Sequence, residues 1–177
     1  MMGNSIDSVR VLVYELGKKI NVPLGLLSLP NKPIGDGTPH IEIEDDRYHF
    51  VSSERGRELW RKSTIDLNEL MYWMFSLITS SMAYKYERKN RIEGQDHRRI
   101  VFSKKIELLN ILNPEWSRRE EIELKKILLN NPYDDDIDAR LSMSEKLIDK
   151  GVAPEEAYRK ACLKYPLPER SIDGLTG

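Results

Sequence analysis

Residues 69–109 read ELMYWMFSLITSSMAYKYERKNRIEGQDHRRIVFSKKIELL, an almost wholly apolar helix that gives way to a dense cluster of arginines and acids. From Leu67 to Met82 apolar side chains occupy every side of a helical wheel. Leu67, Leu70, Met71, Met74, Ile78 and Met82 form one stripe, and Tyr72, Trp73, Phe75 and Leu77 fill the others. A helix patterned in this way is enclosed by protein. The run is roughly 15 residues long and is broken by Ser76, Thr79, Ser80 and Ser81, whereas a bilayer span needs about 20 apolar residues. The spacing predicts a core helix that Asp66 and Glu69 open as a capping pair and that ends between Asn90 and Gly94.

The flanks follow from period and punctuation. Asp96 caps a next helix with Val101, Phe102, Ile106, Leu109 and Leu112 inward, up to Asn113-Pro114. Glu115 onward is amphipathic, with Trp116, Leu124, Ile127 and Leu128 inside and with Arg119-Glu123 and Glu121-Lys125 as surface pairs. Two shorter helices follow, roughly Asp136 to Lys150 and Pro154 to Lys164, divided by Gly151. At the other end, Ser5 caps a first helix (Ile6, Val9, Leu12, Val13, Leu16, Ile20) that Asn21-Val22-Pro23 stops. Pro30, Pro33, Gly35, Gly37 and Pro39 then mark an irregular loop. From His40 the period is two. With Asp45-Asp46 as a two-residue turn, Ile43 faces Tyr48 and Ile41 faces Phe50 on one side, while Glu44 faces Arg47 and Glu42 faces His49 on the other. A second turn at Arg55-Gly56 adds a strand ending near Ser63. It sets Trp60 beside Val51, away from the core, and a slip of one residue reverses that. The expected fold is α+β and mainly helical, about six helices with a short three-stranded antiparallel β-meander. Residues 1–165 form a single domain and 166–177 a mobile tail.

The 28 basic and 29 acidic side chains cancel to a formal charge of −1, which argues against a protein that holds phosphate backbones over a long surface. Cys162 is alone, and the N-terminus lacks a basic region followed by an apolar one, so a reducing cytoplasm is expected. Charge is uneven. Residues 36–54 hold six acids against Arg47, and residues 85–105 hold eight bases against Glu87, Glu93 and Asp96.

Ordered landmarks run from Glu54 to Asp134. They are Glu54-Arg55-Gly56, the run from Asp66-Leu67 through Glu69-Leu70 and Tyr72-Trp73 to Phe75, Tyr86-Glu87 with Arg91, Gln95-Asp96 followed by Arg98-Arg99, and Phe102. Glu107-Leu108-Leu109, Trp116 and Pro132-Tyr133-Asp134 complete the set. In this order they resemble the immunity protein 63 family of small bacterial proteins encoded beside polymorphic toxins. Where the family carries an aromatic residue after the Gln-Asp pair, this chain has His97. The resemblance implies a non-catalytic protein that binds one cognate toxin domain and neutralises it by stoichiometric blockade, as in contact-dependent growth inhibition.

The candidate toxin contacts are the hairpin acids Glu42, Glu44, Asp45 and Asp46, because toxins that cut nucleic acid are basic around the substrate groove. Arg88, Arg91 and Arg98 form a second candidate grip. Glu87, Asp96 and Arg99, with Trp73 and Trp116, read as a structural network in which Asp96 pairs with Arg91 or Arg99. No catalytic residue, metal ligand or cofactor site is expected. His40, Glu42, Glu44 and His49 share a face without tight zinc spacing, Asp134, Asp135, Asp136 and Asp138 lack the glycine of a calcium loop, and Cys162 has no histidine nearby in sequence. The alternative is a nucleic-acid-associated regulator that uses Lys85 to Lys105, with Tyr84, Tyr86 and Phe102 as stacking partners.

Overall fold

The computed structural model describes residues 5–28 and 30–169. Among them are six α-helices and one sheet: α1 (Ile6–Lys19), β1 (His40–Glu44), β2 (Arg47–Glu54), β3 (Arg57–Thr64), α2 (Leu67–Lys89), α3 (Arg98–Leu112), α4 (Pro114–Asn130), α5 (Ile137–Ile148) and α6 (Pro154–Lys164). The fold is therefore α+β and mainly helical, with an antiparallel sheet in the order β1-β2-β3. A short 3₁₀ turn at Leu24–Leu26 precedes the loop that the prolines and glycines foretold.

The chain falls into two compact units, one of Met1–Met82 with Glu107–Trp116 and the other of Ala83–Ile106 with Ser117–Gly177. Their boundaries run through α2, α3 and α4.

In the first unit α1 begins where the Ser5 hydroxyl accepts the Ser8 N–H at 3.2 Å, and it ends where Asn21 takes a left-handed φ of 54° and the Val22 N–H reaches back to the Gly17 carbonyl. The turn of the first hairpin has Asp45 and Asp46 at φ 48° and 57°, the left-handed pair whose twist matches the flanking strands. The register is the one the alternation predicts, with Ile41 opposite Phe50, Glu42 opposite His49, Ile43 opposite Tyr48 and Glu44 opposite Arg47. Asp66 Oδ1 accepts the Asn68 N–H at 2.8 Å to open α2. Val9, Val13, Ile41, Tyr48, Phe50, Leu70, Met71, Met74, Phe75, Leu109 and Trp116 make the core.

Three expectations need correction. Trp60 lies opposite Ser52 and Arg61 opposite Val51, because a bulge between Ser52 and Ser53 gives β3 one extra residue, Leu59. That slip turns Trp60 to the Phe50 face of the sheet, where the rings meet edge to face at 5.3 Å. Trp73 is only partly buried, with the Lys62 ammonium 5.5 Å over its ring, and Leu77 in the same helix is exposed. Ile127 is exposed as well: the inward positions of α4 recur every four residues through Trp116, Glu120 and Leu124, and Ile127 sits off that line.

In the second unit, residues 166–169 carry no regular element, and the rest of the expected tail, 170–177, lies outside the described residues. Among the described residues no helix is long and apolar enough to cross a membrane.

Candidate functional site

In the first unit the sheet carries an acidic turn at one end and a basic strand along one side. Glu44, Asp45 and Asp46 are exposed at the tip of the first hairpin, and any partner that approaches this end meets them first. Glu42 differs from them. Its carboxylate accepts from Arg61 Nη1 at 2.8 Å and lies 3.0 Å from His40 Nε2, and the Arg61 hydrogen bond holds its pKa below the usual carboxylate value. Arg61 is gripped in turn by Glu58, through Nε at 3.1 Å and Nη2 at 2.9 Å. Glu42 is thus a structural acid of the sheet face, unlike the three acids at the tip. His49 Nδ1 pairs with Ser63 Oγ at 2.7 Å, so the two hairpin histidines have separate partners. The described residues contain no group of three histidine, cysteine or acidic side chains that could hold a metal. His40 is buried, and its Nδ1 has no hydrogen-bond partner among the described residues.

In the second unit the arginine cluster folds the α2–α3 turn onto the segment between α4 and α5. Asp96 is its centre. Its carboxylate accepts the Arg98 backbone N–H at 2.9 Å as the cap of α3, the Arg98 Nε at 3.0 Å and the Asp134 backbone N–H at 2.9 Å. Arg98 reaches on to the carbonyls of Asn131 at 2.8 Å and Pro132 at 2.7 Å. Arg99 makes a bidentate pair with Asp135, both contacts at 2.9 Å, and Asp135 also accepts the Asp96 N–H at 2.8 Å. Between the two arginines lies the Tyr133 ring, 4.2 Å from the Arg99 guanidinium and 5.6 Å from that of Arg98. The partner of Asp96 is therefore Arg98, where the sequence offered Arg91 or Arg99. Arg91 instead holds buried Glu87 at 2.7 Å, one helical turn back. His97 lies against Tyr84, ring centroids 6.4 Å apart.

Two ion pairs in this unit escaped the sequence reading. Asp134 holds Arg140, a residue 1% exposed whose guanidinium donates at 2.7 and 3.0 Å to Asp134 and at 2.8 Å to each of the Tyr165 and Pro166 carbonyls. The one signal was the place of Arg140 four residues before Ser144, on the inward line of α5. Lys105 and Glu120 form a buried pair at 2.6 Å, and two residues fifteen apart on different helices leave no trace in periodicity.

The basic stretch is therefore largely spent inside the chain. Of its eight bases, Arg91, Arg98, Arg99 and Lys105 are held in ion pairs, Lys104 lies 4.8 Å over the Tyr86 ring, and Phe102 faces Tyr133. Lys85, Arg88 and Lys89 are exposed. A continuous phosphate-binding track would need those paired charges as well, and this weighs against the nucleic-acid alternative.

Burial pushes the Asp96 carboxyl up in pKa, but the Arg98 guanidinium and the backbone N–H groups of Asp134 and Arg98 outweigh it and hold the group at about 2, against 3.8 for an ordinary aspartate. The folded value lies below the unfolded one. The stabilisation is thus complete above about pH 5 and is lost as pH falls through about 2, a change of about 2 kcal/mol at roughly 1.4 kcal/mol per unit. Urea midpoints measured between about pH 6 and pH 2.5 should show this loss, and the Asp96→Asn variant should show a smaller one.

Part of the sheet and part of the arginine cluster lie in a segment with a recognisable relative. Residues 44–126 match the family model described as Immunity protein 63. These residues belong to that family. The match takes in β2, β3, α2, α3 and most of α4, and so covers the landmarks from Glu54 to Trp116, while Pro132-Tyr133-Asp134 lies beyond it. No curated protein and no solved structure matches the chain.

Proposed function

We propose that this immunity protein 63 chain binds one cognate bacterial toxin domain in the cytoplasm and silences it, without catalysis, by covering its active site or substrate path. The observation that carries the proposal is the family match over residues 44–126. The structure adds a preformed surface: the first hairpin, locked by its turn and paired strands, presents Glu44, Asp45 and Asp46 on a rigid element. An interface of standard size, about 800 Å² per partner, is well within reach of such a sheet. The three acids would steer the chain to a basic groove and speed association more than they tighten the complex.

The test separates steering from folding. In the variant Glu44→Gln, Asp45→Asn, Asp46→Gly the turn becomes Asn-Gly, which tolerates the left-handed conformation at least as well as Asp-Asp, and no like charge is set opposite Arg47, so the melting temperature should hold. Stopped-flow association with the toxin domain encoded by the gene immediately upstream should slow, most steeply at low salt. Rescue of growth in cells that express that domain should weaken in parallel. Wild-type protection with an unchanged rate at both low and high salt would remove the hairpin tip from the toxin-facing surface. Failure of the wild-type chain to rescue growth at all would remove the immunity assignment.

A further inference from the structure

The two edges of the sheet are treated differently. On the β1 side, the Ile41 N–H is taken by the Pro30 carbonyl at 3.0 Å, and beyond the strand residues 36–37 continue to bond to Ser53 and Glu54. On the β3 side nothing comparable is found: among the described residues the backbone of β3 is hydrogen-bonded to that of β2 alone, and Arg61 reaches Glu42 of β1 only through its side chain. Every residue from Arg57 to Ser63 is exposed. Leu59 and Trp60 are 56% and 37% exposed, and Ile65, just past the strand, is 70% exposed. After the bulge at Leu59 a regular run of Trp60 to Thr64 remains, about 17 Å of strand with outward N–H and C=O groups at alternate residues. An exposed edge with an aromatic side chain is the arrangement that accepts a further strand, with the main chain supplying affinity and alternate side chains supplying selectivity.

Charge selects the occupant. Arg55 stands in the turn before the strand, and Arg57, Arg61 and Lys62 lie along it. Glu58 and Glu42 share Arg61, whereas Arg57 and Lys62 have no acidic partner among the described residues. Two copies of β3 laid edge to edge would bring these like charges together, which is unfavourable. An extended segment rich in Asp and Glu would be drawn to them. Direction follows from the meander, because β3 starts at the basic turn and its last residue, Thr64, pairs with Tyr48 beside the acidic turn.

We propose that the outer edge of β3 is the strand-accepting surface of this protein and that its occupant is an acidic extended segment of the cognate toxin domain, added as a fourth strand. This rests on the immunity function proposed above and deepens it, placing a backbone contact beside the steering acids of the hairpin tip.

The test uses the full chain and the purified toxin domain encoded by the gene immediately upstream. Amide hydrogen exchange in the complex should show new protection in residues 57–64. The double variant Arg57→Glu, Lys62→Glu, both side chains exposed, should keep its circular dichroism spectrum and lose affinity by roughly tenfold or more. Binding with no new protection at 57–64 would overturn the strand addition and leave immunity standing. A wild-type chain that does not bind the domain would overturn both. Concentration-dependent dimerisation of the chain alone, with protection at 57–64, would assign the edge to a second copy and overturn the toxin segment. Should the double variant unfold, the exchange experiment on the wild-type chain still decides.

Discussion

Replacement of Asp96 by alanine is expected to lower stability by about 3 to 5 kcal/mol, because it strands a guanidinium in a site built around its counter-charge. The carboxylate holds three partners at once, the Arg98 side chain, the first N–H of α3 and the Asp134 N–H, and its side chain is 4% exposed, so water cannot readily replace them. Arg98 would keep its two carbonyl acceptors at Asn131 and Pro132, and a cation held by carbonyls alone lacks neutralisation. Removing the charge as well, in Asp96→Ala with Arg98→Met, should therefore cost less than the sum of the two single changes. Urea unfolding of the four members of that cycle gives the coupling directly, and simple additivity would mean that the pair is not a unit. Toxin binding per folded molecule should change little in Asp96→Ala. Loss of binding at full stability would move this cluster from scaffold to interface.

The second large effect is expected at Trp116. Its ring is 5% exposed, stacked at 6.1 Å on Phe75 and tilted at 6.4 Å to Tyr72, and its Nε1–H donates to Asn68 Oδ1 at 3.2 Å. Trp116→Ala removes a large buried aromatic from a close-packed site and should cost about 3 to 5 kcal/mol. Trp73→Ala, three residues past Leu70 on the same helix as Phe75, should cost clearly less, since that ring is only partly covered. Thermal melts of the two variants side by side provide an internal comparison. Equal losses would show Trp73 to be as enclosed as the apolar wheel of α2 first implied.

The contrast between those tryptophans shows what a sequence can carry. Alternation over His40 to Phe50 defined the faces of the hairpin, and the turn residues defined its register, because a side-chain period of two leaves no intermediate answer. Prolines, glycines and capping acids placed the helix ends for the same local reason. Trp60 was misplaced by the bulge at Leu59, which changes the count of residues and leaves the alternation of side chains on either side intact. Around Asp96 the residue types were legible, while the choice of Arg98 over Arg99 depends on which way each side chain leaves the first turn of α3. Arg140 with Asp134, and Lys105 with Glu120, depend on contacts that local pattern does not encode. At the hairpin, the solvent-facing residues were recognised as a class, but only the structure separates Glu42, tied to Arg61 and His40, from the acids at the tip.

The clasp around Asp96 also bears on where this protein can be cut. The family-matched segment stops at residue 126, yet the groups that satisfy Asp96, Arg98 and Arg99 sit on Asn131, Pro132, Asp134 and Asp135, and Asp134 in turn anchors Arg140, whose remaining acceptors are the carbonyls of Tyr165 and Pro166. Each arginine passes the requirement for a partner further down the chain. The family match and this chain of ion pairs therefore end some forty residues apart, and a fragment trimmed to the matched residues would leave its most charged corner without these partners.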